Sequence, residues 1–311
     1  MQSVDQSVDE PPMYRWMRKS NLAKFLIALD KHGDVNLEYN SKTGLKTPLN
    51  FLCTLKVTNV TFDVIFDALL AKGANPLQRR TLDNLPLHWI AAENGKLHAC
   101  KRLFHYIPKE HLETYTCSRT GASSLYVAAQ NGHSALVAFL LTEQGFDPNN
   151  ITTHSMTPLI ACVGDAKRHK NVKEIIRIAR LLLDAGADPL AEYNKSKHNA
   201  LESASYEEVR MVLFQDYILR GLFYIERYKK LLQGLTATYK QALFDWVEST
   251  LQEERAVFAA LFNETCDMET SFQSEVFGPV AEELASMVVV PNATARSSLR
   301  YLEANKSEWI R

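Results

Sequence analysis

The stretch that most restricts this chain is Arg119-Thr-Gly-Ala-Ser-Ser-Leu-Tyr-Val-Ala-Ala-Gln-Asn-Gly-His-Ser-Ala-Leu-Val-Ala-Phe-Leu-Leu-Thr-Glu-Gln-Gly-Phe-Asp-Pro-Asn149. Gly121 opens a turn, because a residue without Cβ accepts positive φ. Ser123 stands where a helix cap is needed, and Leu125 and Tyr126 lead into a short helix. Val127, Ala128 and Ala129 are small enough for a neighbouring helix to approach. Asn131-Gly132-His133 ends that helix, Ala135 to Leu141 has the apolar spacing of a second, and Gly145-Phe-Asp-Pro-Asn149 closes the unit. Two such helices cannot bury their own apolar faces, so the unit predicts copies of itself on either side.

The copies are there. One runs from Gly44-Leu-Lys-Thr-Pro-Leu-Asn50 to Leu69-Leu-Ala-Lys-Gly-Ala-Asn-Pro76 and carries extra residues around Lys56–Thr61. Another contains Leu85-Pro-Leu-His-Trp-Ile-Ala-Ala-Glu-Asn-Gly95, with one residue too many between Pro-Leu-His and the glycine. Either its first helix bulges or the preceding turn is shifted, and its closing loop, Tyr106–Leu112, is atypical. A further copy runs from Thr157-Pro-Leu-Ile-Ala-Cys162 to Leu181-Leu-Leu-Asp-Ala-Gly-Ala-Asp-Pro189. It is stretched by the basic insertion 165–174, with a helical extension behind it. A degenerate copy follows at Asn199–Glu202 and Val209–Phe214. Residues 13–36 read as a half repeat capping the row, with Trp16, Leu22, Phe25, Leu26 and Leu29 on one face and His32-Gly-Asp-Val-Asn36 as its closing loop.

These residues resemble the ankyrin repeat, whose pattern runs G-x-T-P-L-H-x-A-A-x-x-G-H, an apolar helix, then G-A-D-x-N. The resemblance implies an all-α ankyrin-repeat solenoid of four to five units plus an N-terminal cap. It covers roughly residues 20–215. It also implies that His88 and His133 hydrogen-bond loops to helices.

Beyond it, Val209 to Leu232, Tyr239 to Phe262, 264–277, Val280 to Val289 and a last stretch with Leu299, Leu302 and Trp309 read as helices without strand alternation. The expected organisation is a disordered leader at 1–12, an ankyrin-repeat domain at 13–215 and a C-terminal helical domain at 216–311. A formal charge of −1 gives no global attraction to nucleic acid or acidic membranes. No apolar run approaches the roughly 18 residues of a transmembrane helix. Five scattered cysteines without a Cys-x-x-Cys pair argue for reduced thiols in a cytoplasm.

No catalytic motif emerges. Cys100 and Cys162 fall at packing positions, and Cys266 has no histidine after residue 198 to pair with. The histidines lack metal-ligand spacing, and phosphate-binding loops and a Gly-x-Ser-x-Gly elbow are absent, so no metal, cofactor or catalytic residue is assigned. The basic residues Lys167, Arg168, Lys170 and Lys173 are candidates for contact with an acidic partner or anionic lipid, against the plainer reading of a solvated loop.

What the resemblance implies for function is protein binding through hairpin tips and first-helix ends on a concave face. Here the tips are Leu82, Asp83 and Asn84, then Arg119 and Thr120, then His154 and Met156. The helix ends contribute Glu93, Asn94, Gln130 and Asn131. Trp89 and Tyr126 flank them, either as anchors for a partner or buried between units; the sequence leaves both open. The architecture also resembles ankyrin-containing effectors that intracellular bacteria of the Legionella and Coxiella kind inject into host cells. That resemblance implies a host protein as partner and delivery to the host cytosol by a type IV system. The alternative is an effector enzyme whose repeats recruit the target while the helical C-terminus does the chemistry.

Overall fold

In the computed structural model, the residues described are 11–41, 44–81, 83–108, 116–164, 171–193, 197–219, 231, 235–265 and 303. The chain divides into two compact units, Met1–His198 and Asn199–Arg311. The first is a row of helix pairs: α1 (Pro12–Arg18) with α2 (Leu22–Asp30), α3 (Pro48–Thr54) with α4 (Asn59–Ala71), and α5 (Leu87–Glu93) with α6 (Leu97–Phe104). α7 (Ser124–Gln130) with α8 (Ser134–Thr142) and α9 (Pro158–Gly164) with α10 (Val172–Asp184) complete it. First helices pack in one line, α1 on α3 on α5 on α7 on α9. Second helices form another, α2 against α4 and α6 through α8 to α10. The N-terminal cap is therefore a full helix pair rather than a half repeat. Leu26, expected on its buried face, is instead 44% exposed.

First helices have neighbours on every side, and their sequences show it. Leu87 to Ala92 and Ser124 to Ala129 are buried without a break, and Ala91, Ala92, Ala128 and Ala129 have no exposed surface. Side chains this small let adjacent helices come close. Second helices bury a single stripe: Phe62, Ile65, Phe66 and Leu69 on α4, or Ile175, Ile178, Ala179, Leu182 and Leu183 on α10. The surplus residues of the first copy go mainly into length, since α4 has 13 residues where α6 has 8. The expected helical extension behind the basic insertion is α10 itself, also 13 residues long.

The helix starts fix the register of the units. Thr47, Ser123 and Thr157 each accept a hydrogen bond on the side-chain oxygen from the N–H three residues on, at 3.2, 3.1 and 3.2 Å. In the second copy the matching position is Pro86, which has no side chain to cap with. Leu87 therefore matches Pro48, Ser124 and Pro158, and His88 matches Leu49, Leu125 and Leu159. No bulge is needed, because the helix starts one residue later than Pro-Leu-His implies. His88 thus lies in a leucine's place, fully enclosed, with Nδ1 2.7 Å from Ser124 Oγ. Burial pushes its pKa down to about 3, helped by the charge of Arg79. His133 does join loop to helix, donating from Nε2 to the Glu93 carbonyl at 3.0 Å. Its ring packs so tightly that a Cβ on Gly95, where φ is +65°, would lie 2.6 Å from Nδ1.

A short turn precedes each first helix. Arg80 N–H donates to Leu85 O at 2.9 Å, Cys117 N–H to Ala122 O at 3.0 Å, Thr152 N–H to Met156 O at 3.1 Å and Tyr193 N–H to His198 O at 3.0 Å. The turn before α3 has enough pairs to register as strands, β1 (Tyr39–Ser41) antiparallel to β2 (Gly44–Lys46). This hairpin is the departure from helix that an all-α expectation does not contain. It is the turn of the other units lengthened, and the helix-pair row is unaffected.

Closing loops bind one unit to the next. Asp34 Oδ1 accepts from Asn36 N–H at 2.8 Å, orienting an asparagine that reaches the following loop. That side chain donates to Gly73 O at 2.8 Å and accepts from Asn75 N–H at 2.7 Å. The arrangement recurs with Asp147 and Asn149: Asn149 donates to Gly186 O at 2.9 Å and accepts from Asp188 N–H at 2.6 Å. Across the second helices, Asp63 accepts from His98 Nε2 at 2.9 Å and Arg102 Nη1 at 3.0 Å, and Lys101 meets Glu143 at 3.1 Å.

In the second unit, α11 (Ala200–Ser203) starts with a capping box between Asn199 and Glu202. α12 (Glu207–Leu219) packs against α13 (Ala237–Thr265), and Glu207 accepts from Thr236 N–H and Oγ1 at 3.2 and 3.1 Å. α13 is the helix expected over Tyr239 to Phe262. The helices expected over 264–277, Val280 to Val289 and around Leu299, Leu302 and Trp309 lie outside the described residues but for 264–265, which end α13, and Glu303; Cys266 and 220–230 of the stretch Val209 to Leu232 lie outside them too.

Two outcomes follow. Asn149→Ala lowers stability by about 1–2 kcal/mol in urea unfolding, because it removes both arms of the clamp, while Asn150→Ala stays within about 0.5 kcal/mol. His88 is neutral when folded but takes a proton when unfolded, so its contribution is complete above about pH 6.5 and falls as pH drops towards the folded value. Replacing His88 and Ser124 by the Leu and Pro of the matching positions should cut the stability loss between about pH 7 and about pH 5 by up to about 2 kcal/mol. An unchanged pH profile in denaturant titrations would remove His88 as its source.

Candidate functional site

The turns before α5, α7 and α9 and the C-terminal ends of α5 and α7 enclose a groove of about 380 Å3. It gathers Asp83, Trp89, Glu93, Arg119, Thr120, Tyr126, Gln130, His154 and Met156 from residues far apart in the chain. Leu82 lies outside the described residues, and Asn84, with φ +55°, is not in the groove lining. Asn94 and Asn131 also stand apart from the lining. Each ends its own helix and donates its amide back, to Ile90 O at 2.8 Å and to Val127 O at 2.9 Å. Their side chains serve the helix ends.

Trp89 and Tyr126 occupy matching positions in α5 and α7 and are both buried, at 9% and 8% exposure. Each reaches forward to the residue just before the next helix cap. Trp89 Nε1 donates to Ala122 O at 3.0 Å, and Tyr126 Oη donates to Met156 Sδ at 3.6 Å. This forward reach is the loop-to-helix bond expected of His88, which the shifted register hands to Trp89. The matching residue in α3 is Asn50, buried, with no partner for either polar atom of its amide. An asparagine is shorter than either aromatic and does not make the corresponding forward bond.

The turn walls are stiff. Arg80 holds Asp83 by two hydrogen bonds, from Nε to Oδ1 at 2.7 Å and from Nη2 to Oδ2. Burial raises the Asp83 pKa, but the bond and charge of Arg80 outweigh it and the net shift is downward. Thr120 O accepts from Thr153 N–H at 2.9 Å, tying the second and third turns together. Thr152 Oγ1 accepts from Met156 N–H at 3.2 Å. Arg119, Glu93 and His154 are exposed, and Gln130 is half-buried. Arg80 and Thr152, which shape the walls, were not among the residues the sequence singled out. The spacing of Arg80 and Asp83, an opposite pair three residues apart beside a turn, is a signal for the first that the sequence reading did not use.

Lys167, Arg168 and Lys170 lie outside the described residues, and Lys173 is exposed on α10. Cys53, Cys100, Cys117 and Cys162 are buried free thiols. Burial pushes the Cys53 thiol up to about 12 and raises those of Cys100 and Cys162. Cys100 and Cys162 donate weakly to the His88 and Ile175 carbonyls. Thiols held protonated in this way are packing residues, not nucleophiles. Among the described residues, no helix is long and apolar enough to cross a membrane.

The family model for ankyrin repeats (3 copies) matches residues 60–152 and, overlapping, 87–193. Among solved structures the chain is similar to EF0377, an ankyrin repeat protein, with a TM-score of 0.50 and 23% identity over 66% of this chain and 96% of that one. It is also similar to the human ASB11 ankyrin repeat domain, with a TM-score of 0.47 and 18% identity over 66% of this chain and 97% of that one. At such identities the first likeness speaks to the fold alone. No curated protein sequence matches the chain.

Proposed function

With an ankyrin-repeat array running through residues 60–193, we propose that the chain is a protein-binding module that holds a partner in the groove before α5, α7 and α9. The observation that carries this reading is the groove itself. Stiff turns from three successive units and the ends of two helices present exposed Arg119, Glu93 and His154 around a floor that includes Trp89, Tyr126 and Met156. Side chains already fixed by their neighbours lose little freedom on binding, which favours affinity.

The reading extends to a host protein as the partner of a translocated bacterial effector. What supports that extension is the irregular array joined to a further helical segment.

A photocrosslinking residue placed at Gln130 in the full chain, incubated with eukaryotic cell lysate, should give a discrete adduct. The same residue at Val64, on the exposed face of α4, should not. Arg119→Glu should reduce the Gln130 adduct. Adducts from Val64 with none from Gln130 would place binding on the other side of the array and remove this proposal.

A further inference from the structure

The groove carries charges of opposite sign in different states. Asp83 is neutralised by Arg80. Arg119 and Glu93 are both exposed and line the same groove, and neither is in an ion pair among the described residues, although the charge of Glu93 also acts on Arg80. Arg119 belongs to the turn before α7, and Glu93 to the end of α5, one unit earlier. The same groove is lined by Trp89 and Tyr126, whose polar atoms Nε1 and Oη are directed to Ala122 O and Met156 Sδ. The floor thus offers ring edges, a thioether and little hydrogen-bonding capacity.

We propose that the groove takes an extended peptide segment of the partner protein. It carries a basic residue for Glu93, an acidic residue for Arg119 and an apolar side chain between them, seated over Trp89, Tyr126 and Met156. The spacing follows from the array. Neighbouring packed helices lie about 8–10 Å apart, and Glu93, at the far end of α5 from its cap, is set back from the turns by about 10 Å of helix. The two charges are therefore about 14 Å or more apart on the diagonal, which an extended chain covers in about four or more residues. Their order sets the direction in which the segment lies. A polyanion is disfavoured because Glu93 stands in its path, and no exposed aromatic face in the groove offers a base a place to stack. Charges of opposite sign at two ends of a trough select one orientation and reject segments with the charges exchanged.

This inference rests on the groove being the binding site, and the experiment separates the two. A random linear-peptide display library is selected against the full chain and, in parallel, against Arg119→Glu and Glu93→Lys. Both substitutions are at exposed positions. The wild type should enrich peptides with a basic and an acidic residue about four or more apart around an apolar one. Arg119→Glu should weaken these peptides about tenfold or more, and its own selection should replace the acid by a base. Glu93→Lys should do the converse, replacing the base by an acid. Thr120→Trp, which fills the groove from its wall, should abolish binding of all of them. Peptides that Thr120→Trp abolishes but that show no charge pattern would overturn this inference and leave the groove reading standing. Peptides indifferent to both Thr120→Trp and Arg119→Glu would count against both. Failure to enrich any linear peptide would overturn the inference alone.

Discussion

Everything in the array depends on the burial of the first helices by one another. Seven residues make two turns of helix, too short to hold their shape in water. α5 and α7 persist because every face meets something: the helix before, the helix after and the second helix of the same pair. That geometry calls for apolar residues around the whole helix and for alanine where neighbours come closest, as at Ala91, Ala92, Ala128 and Ala129. It also leaves a helix of this kind little freedom to present side chains to a ligand. What reaches solvent is its C-terminal end, at Glu93 and Gln130, and the turn that leads into it. The groove is built from those two leftovers.

The links between units are uneven. Stability in a repeat array is close to a sum of unit and interface terms, so each missing link is a local weakness. The asparagine clamp joins the loop at Asn36 to that at Gly73, and the loop at Asn149 to that at Gly186. At the third position of the loops that follow, Leu77 and Leu190 stand where a clamping asparagine is needed. The second copy is held to its neighbours differently, to the first by Arg102 and His98 on Asp63 and to the third by Lys101 on Glu143, His133 on the Glu93 carbonyl and Trp89 on the Ala122 carbonyl. The interface between the second and third copies is thus secured by Trp89 of α5, Lys101 of α6 and His133 at the start of α8.

The helix pairs and the groove were legible in the sequence because both follow from local rules: a cap, an apolar stripe, a glycine, a turn. The register of the second copy was not. Pro86-Leu87-His88 imitates the family tetrapeptide, and only the matching of helix caps shows that Pro86 holds the threonine's place. With that shift the histidine becomes a buried replacement for leucine, and Trp89 takes over the forward bond. Leu26 was misplaced for a related reason: periodicity names a stripe but not which edge of it a neighbouring helix covers. The lengthening of α4 was likewise invisible, since Lys56–Thr61 contains β-branched and turn-forming residues that read as loop. Whether Trp89 and Tyr126 are buried or available was undecidable from residue type, because an aromatic ring with a polar tip suits either role.

Those two residues also show how the array reconciles its two tasks. An aromatic anchor free to meet a partner would leave a cavity in the stack, while one wholly buried would contribute nothing to the groove. Trp89 and Tyr126 direct their polar atoms into the next unit and leave an apolar edge on the groove floor. Their contribution to recognition is therefore shape and desolvation, fixed before any partner arrives. Selectivity then has to come from residues that the stack does not use. Asp83 is committed to Arg80, Asn94 and Asn131 to their own helix ends, and Thr120 to the neighbouring turn. Among the charged groove residues, Arg119 and Glu93 make no ion pair among the described residues, one on the turn wall and one at a helix end, although Glu93 also acts on Arg80. A surface divided in this way, apolar where it is rigid and charged where it is exposed, distinguishes partners by the order of their charges more than by the area they bury.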